Sequence, residues 1–351
     1  MIKTVFLFPF AILYGVITWL RNKLFDFGIL KFTSFNLPVI CIGNLSAGGT
    51  GKTPLTHYVL NLFSDLNVAV LSRGYGRRSK GFILADNNAS AANIGDEPMT
   101  YYKAFHLKNI TVAVCESRVE GINRLITSNK NLRAIVLDDA FQHRAVKAGL
   151  NILVTDFSKL YSNDSMLPVG TLREYASGAK RAQIIVVSKC PVHISAALKQ
   201  SVIENLKPAA HQQIFFSYMR YGDLMHQLND KIIERDDLKQ FDVLLLTGIA
   251  NAKPLYEYLN THCNAVTHLS FADHHTYGVG DIIKTKQLFD NIAASEKIIV
   301  TTEKDLMRLH AHELIQHTNK LPIYAQTVRF DFDENDKSKF NQLLLNYAGK
   351  N

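Results

Sequence analysis

The chain has 351 residues, 47% of them hydrophobic, and a formal net charge of +8 at pH 7. That length suits two domains with ordinary buried cores, and the positive balance suits an anionic partner such as a nucleotide or an acidic membrane surface. Nucleic acid is disfavoured, because there is no long tract of consecutive basic residues and no zinc-finger or RNP-type motif.

The first feature in chain order is Val5–Leu20, VFLFPFAILYGVITWL, which carries no charge and is followed by Arg21 and Lys23. It falls short of the roughly 20 residues needed to span a bilayer, Pro9 interrupts it, and no small-residue cleavage site follows at signal-peptide spacing. Three readings stay open on the residues alone: a buried core helix, a helix lying in the membrane interface, and a true span. Trp19 and Tyr14 favour an interface.

A short apolar strand, Pro38-Val-Ile-Cys-Ile-Gly43, then leads into Ser46-Ala47-Gly48-Gly49-Thr50-Gly51-Lys52-Thr53, and a helix-like run begins at Pro54. Strand, Gly-rich turn and Gly-Lys-Thr opening a helix make a P-loop, although Ser46 stands where the standard spacing has its first glycine. Backbone N–H groups of Ser46–Thr53 would surround phosphate oxygens, helped by the helix N-terminus. Lys52 would reach the β- and γ-phosphates of ATP, and Thr53 would ligate Mg²⁺.

Further short β-branched runs follow at Val68–Leu71, Ile110–Val114, Ala134–Leu137, Ile152–Val154 and Ile184–Val187. They alternate with helical segments, the pattern of a parallel sheet with helices on both faces. Ligands of such sheets bind at the carboxyl ends of strands, and the polar motifs fall there. Ser72-Arg-Gly-Tyr75-Gly-Arg-Arg78 suits an anionic or ring-containing ligand, or is a solvated turn. Gly95-Asp96-Glu97-Pro98 is a helix start whose acids complement the helix dipole, or a pair in which one carboxylate takes a hydroxyl proton and the other helps hold Mg²⁺. Asp138-Asp139 ends an apolar strand, which by itself is a turn or helix cap as readily as a metal site, and the P-loop upstream favours a metal-holding carboxylate. Adjacent strand residues point oppositely, so only one should reach the metal. Arg118, Arg173 and Glu174 add charge at similar positions.

A second block starts near Phe241, with strands expected at Val243–Leu246, Val266–Leu269 and Ile298–Val300. Residues 215–220 and 323–329 alternate like exposed strands and are expected to pair as a β connector. The expected division is a membrane-associated helix (1–30), a P-loop domain (31–214), a connector (215–240), a smaller α/β domain (241–322) and a return strand with a C-terminal segment (323–351). In the smaller domain, Asp273-His274 is a carboxylate-oriented histidine candidate, and Thr302-Glu-Lys-Asp305 is a helix start or a site. Cys41, Cys115, Cys190 and Cys263 are widely spaced and form no CxxC, which points to reduced thiols packed as small hydrophobes.

The combination resembles the tetraacyldisaccharide 4′-kinase family, the lipid A 4′-kinases. The matching residues are Gly43-Asn-Leu-Ser-Ala-Gly-Gly-Thr-Gly-Lys-Thr53, Leu71–Arg77, Gly95–Pro98, Asp138-Asp-Ala-Phe-Gln-His143, Leu167–Glu174, Asp273-His274 and Thr302–Asp305, in the family's order. Ala140 departs from the family's usual glycine, which puts a close backbone approach or positive φ there in doubt. The resemblance implies ATP-dependent phosphorylation of the 4′-hydroxyl of a lipid-linked glucosamine disaccharide 1-phosphate, giving the 4′-phosphorylated lipid A precursor. It places the enzyme on the cytoplasmic face of a Gram-negative inner membrane, held by an interfacial N-terminal helix, with no nucleic-acid or protein partner evident. It further implies Asp96 as base paired with His274, Lys52 on the transferring group, and Thr53, Asp138, Glu97 and Asp139 as candidates around Mg²⁺. Arg118, Arg173, Glu174, Tyr75 and His143 are candidates for substrate or γ-phosphate. Two rival classes remain. A P-loop GTPase or ATPase switch would carry a base-reading Asn/Thr-Lys-x-Asp motif, and Val187-Ser-Lys189-Cys-Pro191 lacks its Asp. A membrane-associated nucleotide-binding module would not need the paired acidic motifs.

Overall fold

The computed structural model describes residues 2–229, 231–273, 275–310 and 313–349, with side chains from Phe6 onward. In chain order the elements are α1 Ile2–Asp26, β1 Val39–Gly43, α2 Lys52–Leu62, β2 Val68–Ser72, β3 Ile83–Leu84, α3 Ala91–Ile94, α4 Asp96–Phe105, β4 Ile110–Val114, α5 Arg118–Ser128, β5 Ala134–Asp138, β6 Leu150–Asp156, β7 Ile184–Ser188, α6 Ala196–Leu206 and β8 Gln213–His226. There follow β9 Ile232–Ile233, β10 Asp242–Thr247, α7 Lys253–His262, β11 Ala265–Ser270, α8 Val279–Asp290, β12 Lys297–Thr302, α9 Glu303–Leu309, α10 Ile315–Thr318, β13 Ile323–Phe332 and α11 Glu334–Ala348.

The chain forms two units: residues 1–219 with 330–351, and residues 220–329. The chain crosses between them within β8 and again within β13. In the first unit the strand order is β8-β7-β6-β1-β5-β2-β4-β3, parallel except for β3. β1, β2, β5 and β7 are buried at every position, so both faces of the sheet are covered. That burial is why these strands read as unbroken apolar runs rather than as alternation.

Each face has its own core. Cys41, Leu71, Ile122, Leu137 and Phe141 lie in one. Ile40, Ile42, Leu55, Val59 and Tyr101 lie in the other, which is completed by Phe330, Phe332, Phe340 and Leu344 from the end of the chain. The hydroxyl of Tyr347 on α11 donates to the carbonyl of Val39 on β1 at 3.2 Å.

In the second unit β11, β10, β12 and β13 run parallel in that order, and β9 pairs antiparallel with β8. Thr302 begins α9 as its N-cap, its hydroxyl accepting from the Asp305 N–H at 3.1 Å. The helix-start reading of this motif therefore holds.

α1 is 25 residues long with Pro9 inside it, longer than the apolar run from Val5 to Leu20 on which the sequence reading rested. Ala11 and Phe25 are buried, whereas Phe6 (73% exposed), Phe10 (63%) and Ile17 (57%) face outward. A buried core helix would not leave this apolar face uncovered. Among the described residues no helix is long and apolar enough to cross a membrane.

Candidate active site

The P-loop leaves β1 and enters α2 through two glycines in the left-handed region, Gly48 (φ 106) and Gly51 (φ 89), a conformation that costs a glycine little. Residues around the loop hold its shape. Asn44 is fully buried and donates to the Ser46 carbonyl at 2.5 Å and to the Thr50 hydroxyl at 2.8 Å. Ser188 at the end of β7 donates to the Thr50 carbonyl at 2.6 Å. Lys189 donates to the Gly49 carbonyl and pairs with Asp156 at 2.7 Å. On the other arm, the Ala47 N–H donates to the Thr171 carbonyl and the Arg173 N–H to the Leu45 carbonyl, both at 2.7 Å.

Four sequence-selected side chains, Glu97, Asp138, Asp139 and Arg173, gather around this loop. Thr53 donates to Glu97 at 3.0 Å, so the first turn of α4 reaches the start of α2. Gly95 before that turn has φ 95, and a Cβ there would lie 3.0 Å from the Tyr75 carbonyl. This close approach seats the loop after β2 against the head of α4. Asp138 at the end of β5 accepts from Ser72 at 2.8 Å and from Thr56 at 3.3 Å. Burial, with Glu97 and Asp139 nearby, raises its carboxyl to about 6; a group so placed gains from a cation.

Asp139 departs from strand geometry at φ 45. It does not continue the in-and-out alternation of the strand, and its carboxylate meets Lys52 at 3.7 Å and accepts from Arg173 through both oxygens at 3.0 Å. The two adjacent aspartates thus meet different partners, Asp138 the Ser72 and Thr56 hydroxyls and Asp139 the P-loop lysine and Arg173. The left-handed residue is Asp139 and not Ala140, which accounts for an alanine at the next position.

Arg118 opens α5 and is 2% exposed, donating to the carbonyls of Cys115 at 2.7 Å and Asp138 at 3.3 Å. Glu174, also 2% exposed, faces protein donors: Arg181 at 2.8 Å, Gln142 at 3.0 Å and Asn22 at 2.7 Å. Burial and the arginines Arg118, Arg73 and Arg21 push the His143 imidazole down to about 4, so it is neutral at pH 7. Tyr75 is exposed on its loop, whose Arg77 is committed to Glu116 at 2.6 Å. Asp96 lies beside Glu97 in the first turn of α4. His274, its expected partner, lies outside the described residues. The neighbouring His275 pairs with Asp281 at 3.0 Å and stacks on Phe271.

Among the described residues no three His, Cys, Asp or Glu side chains form a protein-only metal cage. Mg²⁺ bound with a nucleotide needs only one or two carboxylates besides phosphate and water, and the hard oxygens of Thr53, Asp138 and Glu97 fit that demand. Asn44, Ser188 and Lys189 were not singled out as site residues from the sequence. Their signal is position: Asn44 follows the strand that feeds the P-loop, and Ser188 and Lys189 lie at the carboxyl end of β7, two strands away in the same sheet. Within the second unit, a cavity of about 540 Å³ lies at the carboxyl ends of β10 and β11, lined by Asn251, Lys253, Tyr256, His268, Ser270 and Asp273 among others.

A parallel sheet with a P-loop between β1 and α2, and a carboxylate pair ending the adjacent strand, defines a P-loop nucleoside-triphosphate enzyme. The family model described as tetraacyldisaccharide-1-P 4′-kinase matches residues 3–348. The chain belongs to that family. It is 46% identical to the tetraacyldisaccharide 4′-kinase of Flavobacterium johnsoniae, with 98% of this chain and 97% of that protein covered. It is 42% identical to the protein of the same name from Bacteroides thetaiotaomicron, with 98% and 93% covered. Among solved structures, it is similar to LpxK from Aquifex aeolicus in complex with ATP, with a TM-score of 0.75 at 26% identity, covering 98% of this chain and 99% of that one.

Proposed function

We infer that this chain transfers the γ-phosphoryl group of ATP to the 4′-hydroxyl of a tetraacyldisaccharide 1-phosphate, giving the bis-phosphorylated lipid A precursor, ADP and a proton. The observation that carries this reading is the gathering of Lys52, Thr53, Glu97, Asp138, Asp139 and Arg173 on the P-loop of a family member. The relatives' names supply the acceptor, and the ATP in the Aquifex aeolicus complex supports the donor.

In this reading the P-loop backbone and Lys52 hold the phosphates, with Asp139 and Arg173 fixing the lysine. Thr53, Asp138 and Glu97 would hold Mg²⁺, with Asp139 a further candidate. The ion, when bound, offsets charge on the β- and γ-phosphate oxygens. Asp96 takes the proton of the attacking hydroxyl, paired with His274 as the family resemblance implies. Buried Arg118 holds the backbone around Asp138, while His143 and Tyr75 are candidate contacts for the sugar or acyl-glucosamine.

The uncovered apolar face of α1, followed by Arg21 and Lys23, supports peripheral docking at an acidic membrane surface, the inner membrane's cytoplasmic face. The test is incubation of purified full-length protein with radiolabelled ATP, Mg²⁺ and vesicle-embedded lipid disaccharide. A doubly phosphorylated lipid is expected. Hydrolysis of ATP with no lipid product would instead support the ATPase-switch reading.

A further inference from the structure

The P-loop is supported from an unexpected side. α1 does not merely lie on the first unit: its inward face touches three consecutive residues, 173–175. The Tyr14 hydroxyl donates to the Arg173 carbonyl at 3.0 Å, and Asn22 donates to the Glu174 carboxylate at 2.7 Å. Gly15 lies so close to Tyr175 that a Cβ there would meet its hydroxyl oxygen at 2.5 Å. Residues 14, 15, 18 and 22 share one helix face by their three- and four-residue spacing, and the exposed apolar residues point away from it. The same segment is bound to the P-loop: Ser46 bridges to Leu172, and the Arg173 N–H donates to the Leu45 carbonyl. Its side chains then reach the reacting end, Arg173 through both oxygens of Asp139 and Asp139 to Lys52. Glu174 adds a second route through Gln142, which donates to the Asn44 carbonyl at 2.8 Å.

We propose that Tyr14 and Asn22 are positioning residues for phosphoryl transfer: through Arg173 and Glu174, α1 sets the P-loop lysine and Asp139. The proposal rests on the kinase reading above. It assigns the inward, polar face of α1 to turnover and nucleotide binding, and leaves lipid-surface docking to the outward, apolar face. Glu174 is acceptor-only when ionised and nearly sealed from water, so each lost donor leaves its charge less well compensated. Rotation of the 173–175 segment would displace both the Arg173 guanidinium and the P-loop arm paired with it. Misplacement of a phosphate-holding group by about 1 Å costs on the order of a hundredfold in rate, so partial loosening is expected to be smaller.

The experiment compares full-length Tyr14→Phe, Asn22→Ala and Glu174→Gln, the double variant Asn22→Ala/Glu174→Gln, and an outward-face control, Leu13→Asp/Ile17→Asp. Each is tested by flotation with anionic vesicles, by kinetics on vesicle-embedded lipid substrate, and by equilibrium binding of ATP with Mg²⁺. Tyr14→Phe and Asn22→Ala are expected to float like wild type, keep KM for lipid within about twofold and lose about tenfold in kcat, with a severalfold weaker ATP Kd. The outward-face control is expected to do the reverse: lost flotation, raised lipid KM, and unchanged saturated kcat and ATP Kd. Asn22→Ala should add nothing to Glu174→Gln, because it acts through that carboxylate.

Unchanged kcat and ATP Kd in both inward-face variants would overturn the proposal, as would losses confined to lipid KM. Tyr14→Phe removes one oxygen and keeps the ring, so it decides the matter if Asn22→Ala proves unstable. If wild type phosphorylates no lipid, the kinase reading falls. The ATP-binding arm then still decides whether α1 positions the loop.

Discussion

Replacing Asp138 with asparagine should make the metal-free protein more stable and the enzyme inactive. In the unfolded chain this carboxyl titrates near its ordinary value of 3.8, whereas burial and neighbouring Glu97 and Asp139 raise it to about 6 in the fold. Between those values the folded state binds more protons than the unfolded one. Stability therefore grows as pH falls through 6 and is penalised in full above it. The gap corresponds to about 3 kcal/mol. Part of the gain is returned, because Ser72 and Thr56 donate to the carboxylate and an amide accepts at only one of its two atoms. A net gain of about 1–2 kcal/mol is expected at pH 7.5, or about 2–6 °C in Tm for a unit of this size. The assay is thermal melting in chelator at pH 7.5 and at pH 5, where the difference should nearly vanish. Mg²⁺ with ATP should favour wild type and remove the variant's advantage, and kinase turnover of the variant should fall by a factor of about a hundred or more. An asparagine variant that melts at or below wild type at pH 7.5 in chelator would refute the argument that Asp138 is held ionised at a cost that a cation relieves.

Lys52→Ala should abolish turnover while leaving a folded protein by circular dichroism, because the side chain meets Asp139 rather than a hydrophobic core; near-normal activity would remove the P-loop from the chemistry. Asp96→Ala and His274→Ala should each slow turnover strongly, and the double variant should lose far less than the product of the two; multiplicative losses in single-turnover kinetics would separate the two residues. Lys189→Met should raise KM for ATP severalfold with little change in KM for lipid, since Lys189 bridges the Gly49 carbonyl and Asp156; equal changes in both constants would mean that the clamp does not act on the nucleotide.

The buried strands were legible because they lie between two layers of helices, so β-branched runs such as Val68–Leu71 and Ile184–Val187 carry no solvent-facing residues to break the pattern. The P-loop was legible because its chemistry is local: eight consecutive residues supply loop, charge and hydroxyl. The left-handed turn at Asp139 was not legible, because nothing local to Asp138-Asp139 announces a positive φ. Glu174 was singled out by its charge but not by its surroundings. Its donors Asn22 and Gln142 lie 152 and 32 residues away in sequence, a separation no short motif encodes. The same holds for Ser188, which meets Thr50 across 138 residues. The short β3 escaped notice because two residues carry no periodicity.

The strand that feeds the P-loop has a late partner. The core around Ile40 and Leu55 is closed by Phe330, Phe332, Phe340 and Leu344, all encoded after the entire second unit, which occupies residues 220–329. On a ribosome adding about 5–20 residues per second, residues 220–329 emerge in full while the nucleotide-binding unit still lacks one wall. The order of completion during synthesis is therefore the reverse of the order of the sequence: the inserted unit can close first, and the P-loop unit only when the last helix leaves the exit tunnel. Until then its unfinished apolar sheet face is open to water and to chaperones. A stop codon just before Phe330 would spare every residue of the P-loop and still deny β1 the surface that steadies it.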